Sequence, residues 1–546
     1  MPSTPVAPPA YRGTFRTDLP ARAAYSEGAG PYRIVPAGVA IPADLDDVVR
    51  IVAAANSDGW SLIPRGAGSG IPGHNVGEGI VVDLCRLTDP LTVADGLAVV
   101  GAAVTWQALD RLASDHGLRL PPNPSSGAFC TVGGMVATNA AGARSVRYGS
   151  IRPWVAGLEV VTGTGDVIHL VRGHHESRPR QDVQPVVARF ADRVHPRITQ
   201  AADTIARRFP RTRKNSAGYA LDAYLASGDL LDLLVGSEGT LGIVTQVHLR
   251  LAPVPAAVGG LLIGVDRIER LGELVGGLLL LEPAALELLD TTFLALAGFQ
   301  GADALPGMDA VLLVDFETES LAELEAVLDR AATLAGPRAL IQQALTKDEH
   351  DRLWQVRHAA SPALARLPDT TRSLQIVEDG CVPVEHLGRY LSGVRAIADA
   401  VSIDVVAFGH AGDGHVHVNA LVDTTDTSLA ARLRELLERV TNLVLDLGGT
   451  PSGEHGDGRL RAGAVSRMYG DEVLELFRLV KETFDPRGVL NPGVILGGPD
   501  DPVDRLKVGP QAVPIPEAVA SALRGLERRA EWGQSRLELL GESNPR

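Results

Sequence analysis

The chain is poor in cysteine, lysine and aromatic residues. Its three cysteines, Cys85, Cys130 and Cys381, are scattered along 546 residues. That spacing excludes a disulfide framework and any short-spaced zinc or iron–sulfur cassette. Lysine occurs only at 214, 347, 481 and 507, and 51 basic residues face 66 acidic ones for a net charge of −15. With no basic stripe, a nucleic-acid binder is excluded. Apolar runs such as 278–281 fall far short of the ~20 residues of a membrane span. Residues 1–12 hold proline and small residues, without the charged and apolar segments of a secretory signal. A cytoplasmic protein is expected, with peripheral attachment to a membrane left open.

What is present is ordinary globular composition, 45% hydrophobic and 21% charged. The length suits about three to four domain-sized units, or two large ones. Residues 1–37 read as a loose arm. An amphipathic helix follows over 46–55, then a strand over 61–64, a glycine cluster, and a strand from 79. Residues 97–104 read as a strand and 105–116 as a helix, while 121–147 show no clear periodicity. Residues 154–170 read as a hairpin turning at Gly163-Thr-Gly-Asp, 172–184 as a charged surface excursion, and 230–251 as a helical start and a strand. Pro253 and Pro255 mark a boundary. Beyond it, strands at 261–265 and 310–316 alternate with helices at 272–281, 320–334, 427–447 and 471–484. A polar tail from 498 carries one amphipathic helix over 516–540. The class is α+β.

Two clusters carry chemistry. Gly68-Ser-Gly-Ile-Pro-Gly satisfies GxGxxG, but Pro72 interrupts it and a strand, not a helix, follows. No helix N-terminus is available for a pyrophosphate, so NAD binding is rejected. Converging backbone N–H groups could still hold an anion beside Arg65, the alternative being a glycine-rich turn. The second cluster is Gly409-His-Ala-Gly-Asp-Gly-His-Val-His together with Glu454-His455. His415 and His417 share a strand face, and Gly412 and Gly414 permit a turn that returns His410 towards His417. Two imidazoles and a carboxylate suit a divalent cation with open positions; the alternative is a set of hydrogen-bonded loop histidines.

Three segments in order, Pro64-Arg-Gly-Ala-Gly-Ser-Gly, Cys130-Thr-Val-Gly-Gly-Met-Val-Ala-Thr-Asn-Ala-Ala-Gly followed by Arg147-Tyr-Gly, and Gly236-Ser-Glu-Gly-Thr-Leu-Gly-Ile-Val-Thr, resemble the vanillyl-alcohol oxidase / PCMH flavoprotein family. The resemblance implies a PCMH-type two-subdomain FAD-binding domain over 38–252. It implies that Arg65, Gly66, Ala67, Gly68, Ser69 and Gly70 hold the pyrophosphate. Pro122, Thr131, Gly133, Gly134, Asn139 and Gly142 would line the isoalloxazine and ribityl portion, with Glu238, Gly239 and Ile243 as a third strip. Ser69 stands where covalently flavinylated members carry histidine, so non-covalent FAD is expected.

The histidine segment, Glu454-His455 and Asp485-Pro-Arg-Gly-Val-Leu-Asn-Pro-Gly resemble the FAD-linked D-2-hydroxyacid dehydrogenases, including D-lactate and D-2-hydroxyglutarate dehydrogenases and the glycolate oxidase flavoprotein subunit. This implies an α+β FAD-linked oxidase C-terminal substrate domain over 253–497. His410, His417 and Glu454 would bind a divalent metal, zinc first among the choices, and His455 would be the general base. Arg357, in Leu353-Trp-Gln-Val-Arg-His-Ala-Ala-Ser, would bind the substrate carboxylate with Ser361 one turn on, and Asn491 would approach the flavin. His415 stands where relatives usually carry asparagine. Val377 stands where simple members often carry lysine. Ile376-Val-Glu-Asp-Gly-Cys-Val-Pro and Arg213-Lys-Asn-Ser-Ala-Gly-Tyr lean towards larger relatives with a 4Fe–4S domain.

The expected reaction is FAD-dependent oxidation of D-lactate, glycolate or a 2-hydroxyglutarate-like acid. Electrons would pass to an acceptor protein, a quinone or a separate iron–sulfur subunit, because the cysteines cannot build a cluster; a homodimer is compatible. One alternative is a transferase like alkylglycerone-phosphate synthase, for whose membrane-surface substrate the net charge gives no support. The other is a non-catalytic electron relay, against which the intact histidine set argues.

Overall fold

The computed structural model describes residues 5–173, 184–298, 307–336, 339–368, 370–498 and 501–542, apart from the side chains of 360–362. Most of the surface excursion expected at 172–184 lies outside these residues. No helix among the described residues is long and apolar enough to cross a membrane.

The first sheet has the order β1-β2-β4-β3, with β1 Thr14–Arg16, β2 Gly38–Ile41, β3 Leu62–Arg65 and β4 Ile80–Asp83. β2, β4 and β3 are parallel, which demands a crossover. The helix Leu45–Asp58 supplies it, capped by the Asp44 carboxylate and stopped at Gly59, whose φ is 75°. The expected loose arm is instead built in. β1 pairs antiparallel with β2, and the helix Leu19–Ala24 buries Ala21, Ala23 and Ala24 completely, with Tyr25 after it. Small residues over so short a span show no periodicity. The tail helix Glu517–Arg529 packs Val519 and Leu523 into the same cluster, so both ends of the chain clasp this sheet. The helix is shorter than 516–540 because Ala530 turns left-handed, φ 52°.

The second sheet is antiparallel, order β5-β6-β10-β8-β9. It comprises β5 Leu91–Ala94, β6 Leu97–Gly101, β8 Val155–Thr162, β9 Val167–Val171 and β10 Gly242–Arg250; the short β7 Leu118–Arg119 pairs with β11 Ala252–Pro253. The helix Ala462–Phe484 packs on it through Tyr469, Phe477 and Phe484. It begins earlier than the expected 471 because Gly470, φ 76°, interrupts its helical period. A helix unforeseen in the sequence, Val132–Thr138, is capped by Thr131 Oγ1 at 3.2 Å from the Gly134 N–H. Its two glycines weaken the intrinsic propensity, and burial of Val132, Met135 and Val136 supplies the stability.

The third sheet carries β12 Ala257–Val265, β13 Ala285–Asp290, β14 Ala310–Thr318, β15 Ile341–Ala344, β16 Thr371–Leu374, β17 Gly380–Cys381, β18 Asp404–Gly409 and β19 His415–Asp423. Its order is β15-β12-β14-β13-β18-β19-β16, with β17 beside β19. Alternation divides its labour. Leu286, Leu288, Leu312, Val314, Val416 and Val418 face a core shared with the helices Leu387–Ala400 and Leu429–Asp446. The intervening Glu287, Asp315, Glu317, His415 and His417 occupy the other face, towards the half built on the first two sheets.

A polar latch closes the seam between the halves. Arg119 places Nη1 and Nη2 2.9 and 2.6 Å from the two oxygens of Glu317, whose side chain is 1% exposed. Arg144 Nε adds a third contact at 3.0 Å, and Tyr148 donates its hydroxyl to the same carboxylate. Removing one partner strands the others. Glu317→Ala is expected to destabilise the protein by about 3 kcal/mol. A thermal melt that does not move would show that Arg119 and Arg144 find other partners.

Candidate active site

A cavity of about 1010 Å³ opens between the first two sheets and the polar face of the third. Ligand pockets commonly span about 300–1,000 Å³, so a dinucleotide and a small substrate can share it.

One wall is backbone. Residues 66–79 leave β3 as a loop with no helix, as the broken GxGxxG requires. Gly68 has φ 75°, and a Cβ there would lie 2.4 Å from Arg65 Nη2. The Arg65 guanidinium sits behind the loop, donating to the Glu27 carbonyl at 2.8 Å and to those of Asn75 and Tyr25 at 3.3 and 3.4 Å. Its charge therefore shapes the loop from beneath, and the cradle facing the cavity is glycine backbone. Gly66 abuts Thr131, whose Oγ1 would be 2.3 Å from an added Cβ, so the first two expected FAD strips interlock. Glu238, φ 52°, fixes the third strip by accepting from the N–H groups of Asp457 and Gly458 at 2.7 and 2.8 Å.

Residues 65–70, Thr131, Gly133, Gly134, Gly142, Glu238, Gly239 and Ile243 line the cavity. Pro122, Asn139 and Asn491 stand behind the wall. Asn139 ends the helix Val132–Thr138, and Asn491 ties two strips together by donating to the His74 and Glu238 carbonyls, each at 2.8 Å. A backbone-lined cradle, with the partnerless buried Nε1 of Trp106 also in the wall, fits a large polar cofactor such as FAD.

The opposite wall holds the histidines. β18 ends at Gly409 and the chain turns to enter β19 at His415. Gly414, φ 69°, makes the turn possible, since a Cβ would lie 2.0 Å from the Val382 carbonyl. His410 Nε2 comes to 3.4 Å from His417 Nε2 and 2.9 Å from Glu454 Oε1, which is 3.3 Å from His417 Nε2. His410 Nδ1 is committed to Glu287 Oε1 at 2.5 Å, and His417 Nδ1 to the Glu378 carbonyl at 3.1 Å. Both Nε2 lone pairs thus point at the carboxylate oxygen. Three converging acceptors need a shared cation or protons. Their spacing is that of ligands about 2 Å from a tetrahedral ion, roughly 3.3 Å apart. The residues therefore fit a divalent metal.

His455 stacks on His417, ring centroids 5.0 Å apart and 12° from parallel. Its Nδ1 is 2.7 Å from Glu378 Oε2, and Nε2 lies 3.9 Å from Glu454 Oε1. Burial lowers its pKa, but Glu378 and Asp379 outweigh that and push it up to about 9. A nearby divalent cation would reverse that balance. Arg461, fully enclosed, holds Glu378 and reaches Asp379 at 3.2 Å. Asp379 in turn accepts from the backbone N–H groups of Glu454 and His455 at 3.3 and 3.0 Å.

Arg357 is buried at the cavity wall, its Nε donating to Glu287 at 2.7 Å and its plane over Phe408. Burial raises the Glu287 pKa, yet His410 and Arg357 hold it down to about 2. Ser361 falls in the helix Ala360–Ala365, but its side chain is outside the described residues. His415, fully buried, is pushed down to about 4 by burial and by Lys214.

Sequence reasoning missed Glu287, Glu378, Asp379, Arg461 and Lys214. Glu287 had a signal, a lone acid inside the apolar run Ala285-Leu-Glu-Leu-Leu. So did Glu378-Asp379 after Ile376-Val377.

Residues 36–171 match the family model of an FAD binding domain, and 265–495 that of the C-terminal domain of FAD linked oxidases. The chain is 30% identical over 486 residues to the glycolate oxidase subunit GlcD of Bacillus subtilis, covering 86% of this chain and 92% of that one. It is 31% identical over 466 residues to a D-lactate dehydrogenase of Archaeoglobus fulgidus, with 83% and 90% covered. To a D-2-hydroxyglutarate dehydrogenase of Escherichia coli it is 26% identical, covering 94% of this chain but 54% of that longer one. In fold it is similar to 4-ethylphenol oxidase from Gulosibacter chungangensis, TM-score 0.64 at 17% identity, covering 88% and 94% of the two chains.

The glycine wall makes a direct prediction. Gly68→Val forces a side chain against Arg65 in a left-handed conformation. The variant should purify with almost no visible flavin absorbance. A yellow variant with normal flavin content would show that the loop does not carry the cofactor.

Proposed function

Because the chain belongs to the FAD-linked oxidases, in which an FAD-binding domain precedes an FAD-linked oxidase C-terminal domain, we propose that it oxidises a D-2-hydroxy acid to the 2-oxo acid and passes the electrons to an acceptor other than NAD. It is an FAD-dependent oxidoreductase acting on CH–OH groups. The observation that carries the reading is the convergence of His410, His417 and Glu454 beside His455, in the same cavity as the glycine cradle.

Bound FAD, held without a covalent bond, supplies the acceptor for the C2 hydride. A divalent cation on His410, His417 and Glu454, zinc by the nitrogen and carboxylate donors, supplies polarisation of the substrate hydroxyl. The chain's own residues do the rest. His455 commits Nδ1 to Glu378, which leaves Nε2, on the Glu454 side, to take the hydroxyl proton. Arg357, immobilised by Glu287, supplies the fixed cation for the substrate carboxylate, with Ser361 one turn further along. The glycine wall leaves room for the cofactor.

D-lactate or an acid of similar size is the proposed substrate, with glycolate and 2-hydroxyglutarate as the neighbouring chemistries of the relatives. Val377 stands where simple relatives carry lysine, and its side chain packs into the apolar core of the third sheet, while Arg144 and Arg372 join Arg357 in the cavity lining. The acceptor is a partner protein or quinone, a separate iron–sulfur subunit included. Similarity to alkyldihydroxyacetonephosphate synthase, TM-score 0.59 at 17% identity over 88% of this chain and 83% of that one, is one of fold and does not favour the transferase.

Anaerobic addition of D-lactate should bleach the flavin; an unchanged visible spectrum with every D-2-hydroxy acid would refute the reading. His455→Ala should retain FAD but slow flavin reduction roughly 10²–10⁴-fold. Normal reduction would remove His455 from the base role. Chelation should abolish reduction without releasing FAD, and Zn²⁺ should restore it; indifference to chelation would exclude the metal.

A further inference from the structure

The segment Arg213-Lys-Asn-Ser-Ala-Gly-Tyr has no role in the reaction above, yet it delivers Lys214 into the site. Lys214 is buried, and its ammonium donates to Glu454 Oε2 at 2.8 Å. It also lies 3.4 Å from His415 Nδ1 and 3.5 Å from Asp413. On the other side of the ring, His415 Nε2 is 2.8 Å from Asp379 Oδ1.

By spacing alone, His410, His415, His417 and Glu454 could form a four-ligand site. The hydrogen bonds point elsewhere. Asp379 is a carboxylate held by Arg461 and by two backbone N–H groups, so it can only accept, and His415 must donate to it through Nε2–H. The neutral ring then keeps its lone pair on Nδ1, and that lone pair faces the Lys214 ammonium, which can only donate. Both ring nitrogens are committed, and a metal needs a free one. Glu454 is divided in the same way. Oε2 is taken by Lys214 and by the Gly142 N–H at 3.1 Å, while Oε1 faces His410 and His417.

We propose that Lys214 and His415 are a positioning pair that keeps His415 out of the coordination shell and turns Glu454 so that Oε1 alone meets the cation. This rests on the metal reading above. It yields three protein ligands and leaves positions for the substrate, where a fourth ligand would close the shell as in a structural site.

The test uses the FAD-loaded protein with one equivalent of Zn²⁺. Metal-edge X-ray absorption on the unsubstituted chain should count two imidazoles; three would overturn the proposal without any variant. His415→Asn should bind one metal per chain with the visible spectrum of the cobalt-substituted protein unchanged; an altered spectrum would make His415 a ligand. Lys214→Met should weaken metal affinity about 10–100-fold, the usual effect of losing a group that orients a ligand, and Lys214→Arg should recover part of it. Unchanged affinity in Lys214→Met would overturn the pair. A chain that takes up no divalent cation would overturn the metal reading and this inference with it, whereas three imidazoles would overturn this inference alone.

Discussion

The site depends on one carboxylate. Glu454 turns one oxygen to His410 and His417 and the other to Lys214 and the Gly142 N–H. Gly142 belongs to the strip expected against the flavin, Lys214 to a turn between helices of the FAD-binding half, and the histidines to the third sheet. An ionised carboxylate taken out of water costs several kcal/mol unless its lone pairs are answered. Satisfying this one brings segments from both halves to a single point. Asp413, two residues before His415, repeats the logic by accepting from Ser145 at 2.5 Å, so the histidine turn too is tied to the segment that carries Gly142.

Charge around that point is unbalanced in one direction. Glu287, Glu378, Asp379, Asp413 and Glu454 are buried, and the buried cations among them are Arg357, Arg461 and Lys214. Arg213 reaches Asp413 only from the surface, its side chain 47% exposed, where water screens it. With neutral histidines the enclosed cluster carries two excess negative charges. The titration of the rings follows: burial lowers His417 and His455, yet the carboxylates raise both, His455 to about 9. The cluster draws protons in, and a divalent cation would answer the same deficit and, in the proposed reaction, leave His455 free as the base.

How much of this was legible follows from the kind of constraint. The histidine turn could be read because a strand period of two and a pair of glycines fix where His410, His415 and His417 go, and the glycine segments that line the cavity because only glycine serves where backbone must pack within van der Waals distance. Arg65 was read as a charge for the pyrophosphate, and its guanidinium lies beneath the loop. A sequence does not say on which side of a turn a long side chain folds. Glu287, Glu378 and Arg461 were missed because their roles are set by partners far along the chain. His415 stayed undecided for the same reason: its tautomer depends on Lys214 and Asp379, and neither is near it in sequence. Burial of the amino-terminal arm was invisible because its cover, the helix Glu517–Arg529, is encoded at the opposite end.

Residues 142–148 show what such distant constraints imply. In sequence they have no period, and their short helix Ser145–Tyr148 has no side-chain cap. In the structure Gly142 holds Glu454, Ser145 holds Asp413, and Arg144 and Tyr148 hold Glu317. Local bonds contribute, from the Ser145 hydroxyl and N–H to the Gly142 carbonyl and from Trp154 Nε1 to the Tyr148 carbonyl, and the polar face of the third sheet adds acids that would be costly to bury without these partners. The same residues form the floor of the cofactor cavity through Gly142, Ala143 and Arg144. One segment therefore serves both the seam between the halves and the wall of the cavity.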